Sequence, residues 1–132
     1  MDKTSPPAYP AAYLEGVHLF NSGRYYEAHE ALEEIWRECA KESRERLFYQ
    51  ALIQVAAACL HRQRGRWRPA LLQYGRAVEK LDRVAATELL GMNLVTLRSE
   101  IHATFAPLTA DPQLPLPDPP PWHVTPPRDE GG

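Results

Sequence analysis

The stretch YYEAHEALEEIW, residues 25–36, concentrates side chains that could carry acid–base or metal chemistry. His29 and Glu33 are four residues apart, so they share one face of a helix. A zinc protease helix would need a histidine at position 33. A di-iron bundle places its glutamate three residues before the histidine, whereas Glu27 is only two residues before His29. Because both spacings fail, a metal would need ligands from another helix, and we predict neither a metal nor a cofactor.

A second set of polar residues interrupts an apolar stretch, LFYQALIQVAAACL, at residues 47–60. Gln50 and Gln54, followed by His61, recur at helical steps and therefore occupy one face. A helical hairpin with its turn near residue 42 pairs residues whose numbers sum to about 84. His29 should then lie near Gln54, and Glu33 near Gln50. We favour a buried hydrogen-bond network between the two helices, and a ligand pocket or a metal site stays open as an alternative.

Hydrophobic periodicity predicts an all-α fold of about five helices. Apolar residues recur at three- and four-residue steps over about residues 11–20, 24–40, 44–62, 67–84 and 94–105. The third helix is apolar on nearly every side, which indicates a central position. Trp36 is predicted to be buried between the second and third helices. The connection ATELLGMN, residues 86–93, is expected to be an irregular loop.

An internal repeat gives the strongest structural signal. The segment GRYYEAHEALEEIW, residues 23–36, aligns without gaps with GRWRPALLQYGRAV, residues 65–78. Gly23 and Gly65 each follow an apolar helix and precede an aromatic residue, as in the turn of a tetratricopeptide hairpin. The sequence therefore predicts a compact bundle of two helical hairpins and a closing helix.

Proline content divides the chain near residue 106. Nine of the thirteen prolines lie between Pro107 and Pro127, and proline is excluded from helix interiors and central strands. We predict a single helical domain over residues 8–106 and a proline-rich, extended tail over residues 107–132, unless the tail lies against the bundle.

Composition narrows the range of partners. The formal net charge is −2 with 24% charged residues, so there is no basic excess and we expect no nucleic acid partner. No apolar run approaches the roughly 20 residues of a membrane span, and the N-terminus lacks an apolar signal core. We expect a cytoplasmic protein with two reduced cysteines, away from membranes, whose partner is another protein or a second copy.

Two longer segments resemble a known family. FNSGRYYEAHEALEEIWR, residues 20–37, followed by FYQALIQVAAACLHRQRGRW, residues 48–67, is similar to the bacterial and archaeal family known as domain of unknown function 309. The resemblance covers about residues 12–84. It implies a small all-helical fold and no established activity. The matching positions are Phe20, Asn21, Glu27, His29, Glu30, Glu33, Trp36, Gln54, His61 and Gly65.

These observations together predict a non-catalytic interaction or scaffold domain. The alternative is a small-ligand-binding protein or a hydrolase-like enzyme that uses a polar cluster between the second and third helices, with or without a metal. Whether the chain is an enzyme stays open at this point. The polar cluster consists of Glu27, His29, Glu30, Glu33, Gln50, Gln54 and His61.

Overall fold

A computed structural model describes residues 9–127 of the chain. Position 8 of the predicted domain and positions 128–132 of the predicted tail lie outside the described residues. The elements are, in order, α1 (Ala11–Asn21), α2 (Tyr25–Glu38), α3 (Arg44–Gln63), α4 (Trp67–Val84), β1 (Glu88–Leu89), β2 (Met92–Asn93) and α5 (Leu94–Ala110). The predicted all-α bundle of about five helices is confirmed. None of the helices in the described part of the chain is long and apolar enough to cross a membrane.

The helix α3 forms the centre of the bundle, packed between α2 and α4. Its alanines at 51, 56 and 58 are fully buried, and such small side chains let neighbouring helices approach closely. The larger Phe48 and Leu52 fill the space between them with no exposed surface. Burial on several sides explains why this helix has the nearly continuous apolar sequence that indicated a central position.

The two copies of the internal repeat begin where α1 and α3 end, and both helix ends have the same pattern of hydrogen bonds. The amide of Arg24 donates to the carbonyl of Leu19 at 2.9 Å, and the amide of Gly23 donates to Phe20 at 2.9 Å. At the second turn Arg66 donates to His61 at 2.8 Å and Gly65 to Arg62 at 3.0 Å. This pair of bonds is the Schellman motif, which places a residue with positive φ just after the helix. Gly23 and Gly65 have φ values of 78° and 76°, so the aligned glycines are structural residues.

The connection between α4 and α5 is more ordered than the irregular loop that we expected. Strands β1 and β2 pair antiparallel, with Leu89 opposite Met92. Leu90 and Gly91 between them have φ values of 52° and 78°, and positive φ at both positions is the requirement of a two-residue type I′ hairpin. A leucine at this position does not indicate such a turn, because leucine rarely adopts positive φ.

The helix α5 continues past Pro107 to Ala110, so the predicted domain boundary after residue 106 falls inside this helix. An internal proline removes one main-chain hydrogen bond, and here the helix tolerates it three residues from its end. Residues 111–127, which we call the C-terminal tail, contain neither helix nor strand. The tail returns to the bundle, where Trp122 is only 4% exposed.

Candidate functional site

The first candidate site is the polar cluster predicted between α2 and α3. The imidazole Nε2 of His29 lies 3.9 Å from Glu33 Oε2, and both side chains are about one-third exposed. The other carboxylate oxygen of Glu33 accepts a hydrogen bond from Arg37 at 3.0 Å. Within residues 9–127, neither His29 nor Glu33 is hydrogen-bonded to Gln50 or Gln54. The predicted network that would join the two helices is therefore wrong in that form.

Two atoms on the α3 side of this cluster are buried without a protein partner. Gln54 is 9% exposed, and its Oε1 accepts no hydrogen bond from any described residue. The Nδ1 atom of His61 is also buried and unpartnered. Burial lowers the pKa of the His61 imidazole, and the nearby charges of Arg66, Arg64 and His29 lower it further. The neutral form of the His61 imidazole is therefore favoured, and its buried Nδ1 donates or accepts a hydrogen bond according to the tautomer.

The remaining predicted cluster residues point elsewhere. Glu27 pairs with Arg24 at 3.1 Å in the first turn of α2, where its main-chain hydrogen bond and Arg24 lower the pKa of its carboxyl. Glu30 is exposed, and Gln50 is half-buried. In the part of the chain that the structure describes, no group of three or more histidine, cysteine, aspartate or glutamate side chains is arranged to hold a metal ion.

Trp36 is half-buried against the edge of the core, so the prediction that it is buried between α2 and α3 is wrong. The guanidinium of Arg46, from the first turn of α3, lies 4.3 Å from the centre of the Trp36 ring. The same guanidinium donates to the carbonyls of Trp36 at 3.2 Å and Cys39 at 3.1 Å. Arg46 thus gives the Cys39 carbonyl a donor, adds a second donor to the Trp36 carbonyl, which also accepts from the Cys39 amide at 3.1 Å, and makes a cation–π contact with Trp36. These contacts place Trp36 at the end of α2, beside the first turn of α3.

The second candidate site is a groove that holds the C-terminal tail. Trp122 stacks on Phe20 with ring centres 3.7 Å apart and an angle of 4° between the planes. Tyr25 packs against the other side of this aromatic group, 5.3 Å from Phe20. We call the groove the tail slot, and it is built by α1, α3 and α5. Its lining residues are Phe20, Val55, Leu97, Ile101, Thr104 and Phe105.

Asn21 binds the main chain of the tail at the edge of the slot. Its Nδ2 donates to the Trp122 carbonyl at 2.9 Å, and its Oδ1 accepts from the Trp122 amide at 2.8 Å. The carboxamide therefore pairs with one residue of the tail as a neighbouring β-strand would. Asn21 is the last residue of α1, so the helix end fixes the position of this clamp.

Thr125 is held by a second pair of bonds. Its amide donates to the Gly91 carbonyl at 2.7 Å, and its carbonyl accepts from the Tyr9 hydroxyl at 2.8 Å. A Cβ atom at Gly91 would collide with the Thr125 carbonyl oxygen and the Tyr9 hydroxyl. Tyr13, buried in the core, donates to the Leu90 carbonyl at 2.9 Å and holds the hairpin in place. All four main-chain groups of Trp122 and Thr125 are thus satisfied by the bundle.

The sequence analysis did not identify the tail slot as a site. Trp122 is the one aromatic residue within the run PDPPPWHVTPP, and an aromatic residue in a proline-rich segment is a signal that could have drawn attention to it. Asn21 was noted only as a position that matches the family. Nothing local in the sequence links these two residues, because they are 101 positions apart.

Fold and slot together define an all-helical, double-hairpin domain that holds an extended segment of its own chain. The sequence pattern described as Domain of unknown function (DUF309) matches residues 13–83, more than half of the chain, and the chain belongs to this family. The predicted resemblance is confirmed. The chain is also similar to the uncharacterized protein YpuF of Bacillus subtilis (strain 168), with 40% identity over 57 residues. That similarity covers 42% of this chain and 32% of the length of YpuF.

Proposed function

We propose that this chain is a non-catalytic interaction domain whose recognition surface is the tail slot. The observation that supports the proposal is the pairing of Asn21 with both main-chain groups of Trp122, beside the stacked ring. Main-chain pairing gives affinity for any extended segment, and a pocket for one side chain gives selectivity. We further propose that the partner is a protein and that the domain works in the cytoplasm, where cysteines such as Cys39 and Cys59 stay reduced.

Binding of the tail segment as a separate peptide tests this proposal. In the full-length Trp122→Ala variant the slot loses its resident ring, and a synthetic peptide of residues 114–127 should bind there. The same peptide with alanine in place of tryptophan is the matched control and should not bind. Fluorescence anisotropy of the labelled peptide measures both affinities.

A second-site variant connects peptide binding to the proposed clamp. Adding Asn21→Ala to the Trp122→Ala chain should weaken peptide binding about tenfold, because two hydrogen bonds of roughly 1 kcal/mol or less each are lost. Ser22→Ala is the control, because the Ser22 hydroxyl bonds only the carbonyl of His18 in its own helix. The proposal would be contradicted if the affinity changed neither when the peptide loses its tryptophan nor when Asn21→Ala is added.

The polar cluster supports a second candidate function, the binding of a small polar ligand. The specific observation is that Gln54 Oε1 and His61 Nδ1 are both buried without a protein hydrogen-bond partner. A ligand that donates to Gln54 Oε1 and offers His61 Nδ1 a hydroxyl, which can donate or accept, would satisfy both atoms, whereas leaving such atoms unpaired costs about 1–3 kcal/mol each. Native mass spectrometry of the full-length chain tests this function. An added mass that disappears in the Gln54→Met variant would favour it, and an unmodified mass in both proteins would contradict it.

A further inference from the structure

We propose that the tail is a displaceable occupant of the tail slot, and that the functional ligand is a proline-rich, tryptophan-containing segment of another protein. This inference rests on the proposed interaction function and names the partner of the same site. Three features of the molecule support it. They are the chemistry of the segment in the slot, the lack of hydrogen bonds in the chain that leads to this segment, and the competition between the resident tail and any added ligand.

The segment in the slot has the chemistry of a polyproline ligand. Pro119 and Pro120 line the same cavity as Trp122 and the slot residues. A proline-rich segment is already extended before it binds, so it loses little conformational entropy on docking into an aromatic-lined groove. The slot presents such a surface through Phe20 and Phe105. Trp122 then supplies the large ring that stacks on Phe20, and Asn21 bonds to its main chain.

Glu100, which lies beside the Trp122 ring, adds a charge to the features by which the tail slot selects a ligand. Glu100 from α5 and His123 from the tail line one cavity beside Trp122. No hydrogen bond or ion pair joins them among the described residues, so a longer cationic side chain in place of His123 could reach the carboxylate. We therefore expect the partner segment to carry lysine or arginine directly after its tryptophan, which would let it bind more tightly than the resident tail.

The chain that leads to Trp122 is attached by apolar contacts, including that of Leu116 with the core, and not by hydrogen bonds. After the turn at Asp111, where the Leu114 amide donates to the Asp111 carbonyl at 3.2 Å, residues 115–121 make no hydrogen bond with any other part of residues 9–127. Five of these seven residues are prolines, which have no amide to donate. Pro115 and Pro117 border an open cavity shared with Tyr25 and Arg62. The tail can therefore leave the slot when the contacts of Trp122 and Thr125 break, without unfolding a helix.

The resident tail competes with every added ligand, so it also determines whether a second copy or a different protein can occupy the slot. A segment tethered by a short linker has an effective concentration of about 1 mM at its own site. The tail of a second copy has the same sequence and no advantage over the resident one, so exchange between copies needs protein concentrations near that value. A segment of a different protein with a better fit avoids this restriction, and we assign the slot to such a partner.

Peptide titrations of three full-length proteins test the inference. The 114–127 peptide should bind the Trp122→Ala chain most tightly and should bind the unaltered chain about tenfold or more weakly, because only the fraction with an open slot can bind. Thr125→Pro removes the bond to Gly91 and leaves every slot residue in place. This variant should bind with intermediate affinity, and it keeps the test valid if Trp122→Ala does not fold.

Changes in the peptide test the class of ligand. Lysine in place of the histidine after tryptophan should tighten binding several-fold, and the Glu100→Gln chain should abolish that gain. Alanine in place of the three prolines before tryptophan should weaken binding. If the alanine peptide binds as well as the parent, the assignment to proline-rich ligands is overturned.

The remaining outcomes separate the inference from the function on which it rests. Equal affinity of the unaltered chain and both variants would overturn displacement and leave the interaction function intact. No peptide binding to either variant would overturn the interaction function itself. Analytical ultracentrifugation tests whether a second copy occupies the slot. Dimers of the unaltered chain at micromolar concentration that disappear in the Trp122→Ala variant would assign the slot to a second copy and overturn the inference.

Discussion

Two carboxamide side chains, Asn21 and Gln54, have opposite hydrogen-bonding environments. Asn21 lies at the surface end of α1, and both ends of its amide are bonded to Trp122. Gln54 lies within α3 at 9% exposure, and its Oε1 has no protein partner. A buried polar atom without a partner costs more than a hydrogen bond contributes. Removing the carboxamide should therefore have opposite effects at the two positions. It should cost favourable contacts at Asn21 and remove an unfavourable buried atom at Gln54.

Gln54→Met should leave the fold unchanged or stabilise it by up to about 1 kcal/mol, because an apolar side chain of similar shape removes an unpaired buried oxygen. Urea unfolding followed by circular dichroism measures the free energy of unfolding. Gln50→Met is the matched control on the same face and should change it by less than about 0.5 kcal/mol, since Gln50 is half-buried. A loss above about 1 kcal/mol at position 54 would mean that Oε1 has a bonding partner, and would favour the ligand-binding function.

At the scale of the element, the end of α2 depends on a side chain from the next helix. Ser43 begins α3 by accepting a hydrogen bond from the Arg46 amide at 3.1 Å, which fixes the first turn. The Arg46 side chain then reaches back to the carbonyls of Trp36 and Cys39. Arg46 thus connects the end of α2 to the beginning of α3 across the short turn.

Arg46→Ala should lower the free energy of unfolding by about 1–3 kcal/mol, because two carbonyl bonds to a charged donor and the contact with Trp36 disappear. Arg46→Lys keeps the charge and should recover only part of this loss, since an ammonium lacks the planar face that the guanidinium places over the Trp36 ring. Arg44→Ala, at an exposed site in the same turn, is the control. If Arg46→Ala and Arg44→Ala melt at the same urea concentration, Arg46 does not hold the end of α2.

At the scale of the whole molecule, the core buries titratable groups in their neutral form. Burial raises the pKa of the Cys59 thiol from 9.0 to about 12. Burial, with smaller contributions from Cys59 and Asp118, raises the pKa of the Tyr25 phenol from 10.0 to about 12. Burial also raises the pKa of Tyr13 and Tyr49. These groups lie where α1, α2 and α3 meet, so their ionisation affects the bundle as a unit.

Stability should therefore fall at alkaline pH. Each group holds its proton more tightly in the folded chain, so its contribution is complete below its unfolded pKa, 9.0 for Cys59 and 10.0 for Tyr25, and is lost as pH rises towards about 12. The slope should approach about 1.4 kcal/mol per pH unit for each ionising group. Urea unfolding between about pH 8 and pH 10.5 measures the slope. Cys59→Ala should make the decline shallower, and a flat profile would contradict the burial of these groups.

The helices and their turns follow from local sequence patterns. Periodic apolar residues identified all five helices, and the aligned glycines marked two turns that prove to be the same Schellman motif. Such features depend on residues three to six positions apart, so a single sequence contains the information. The hairpin at Leu90 was missed because a leucine with positive φ is rare, and the bond that its carbonyl accepts comes from Tyr13, 77 positions away.

The sequence by itself determined the helical architecture, the hairpin repeat and the family, whereas the boundary that it predicts after residue 106 falls inside α5. Only the tertiary structure decided that Trp122 returns to stack on Phe20, and that Gln54 lies buried without a partner. The physical reason is the separation along the chain of the residues that interact. Helix formation is decided within a few residues, whereas the tail slot exists only after three helices have met, and its clamp joins residues 101 positions apart. Docking then depends on the shape and donor positions of an assembled surface, which no local pattern in the chain encodes.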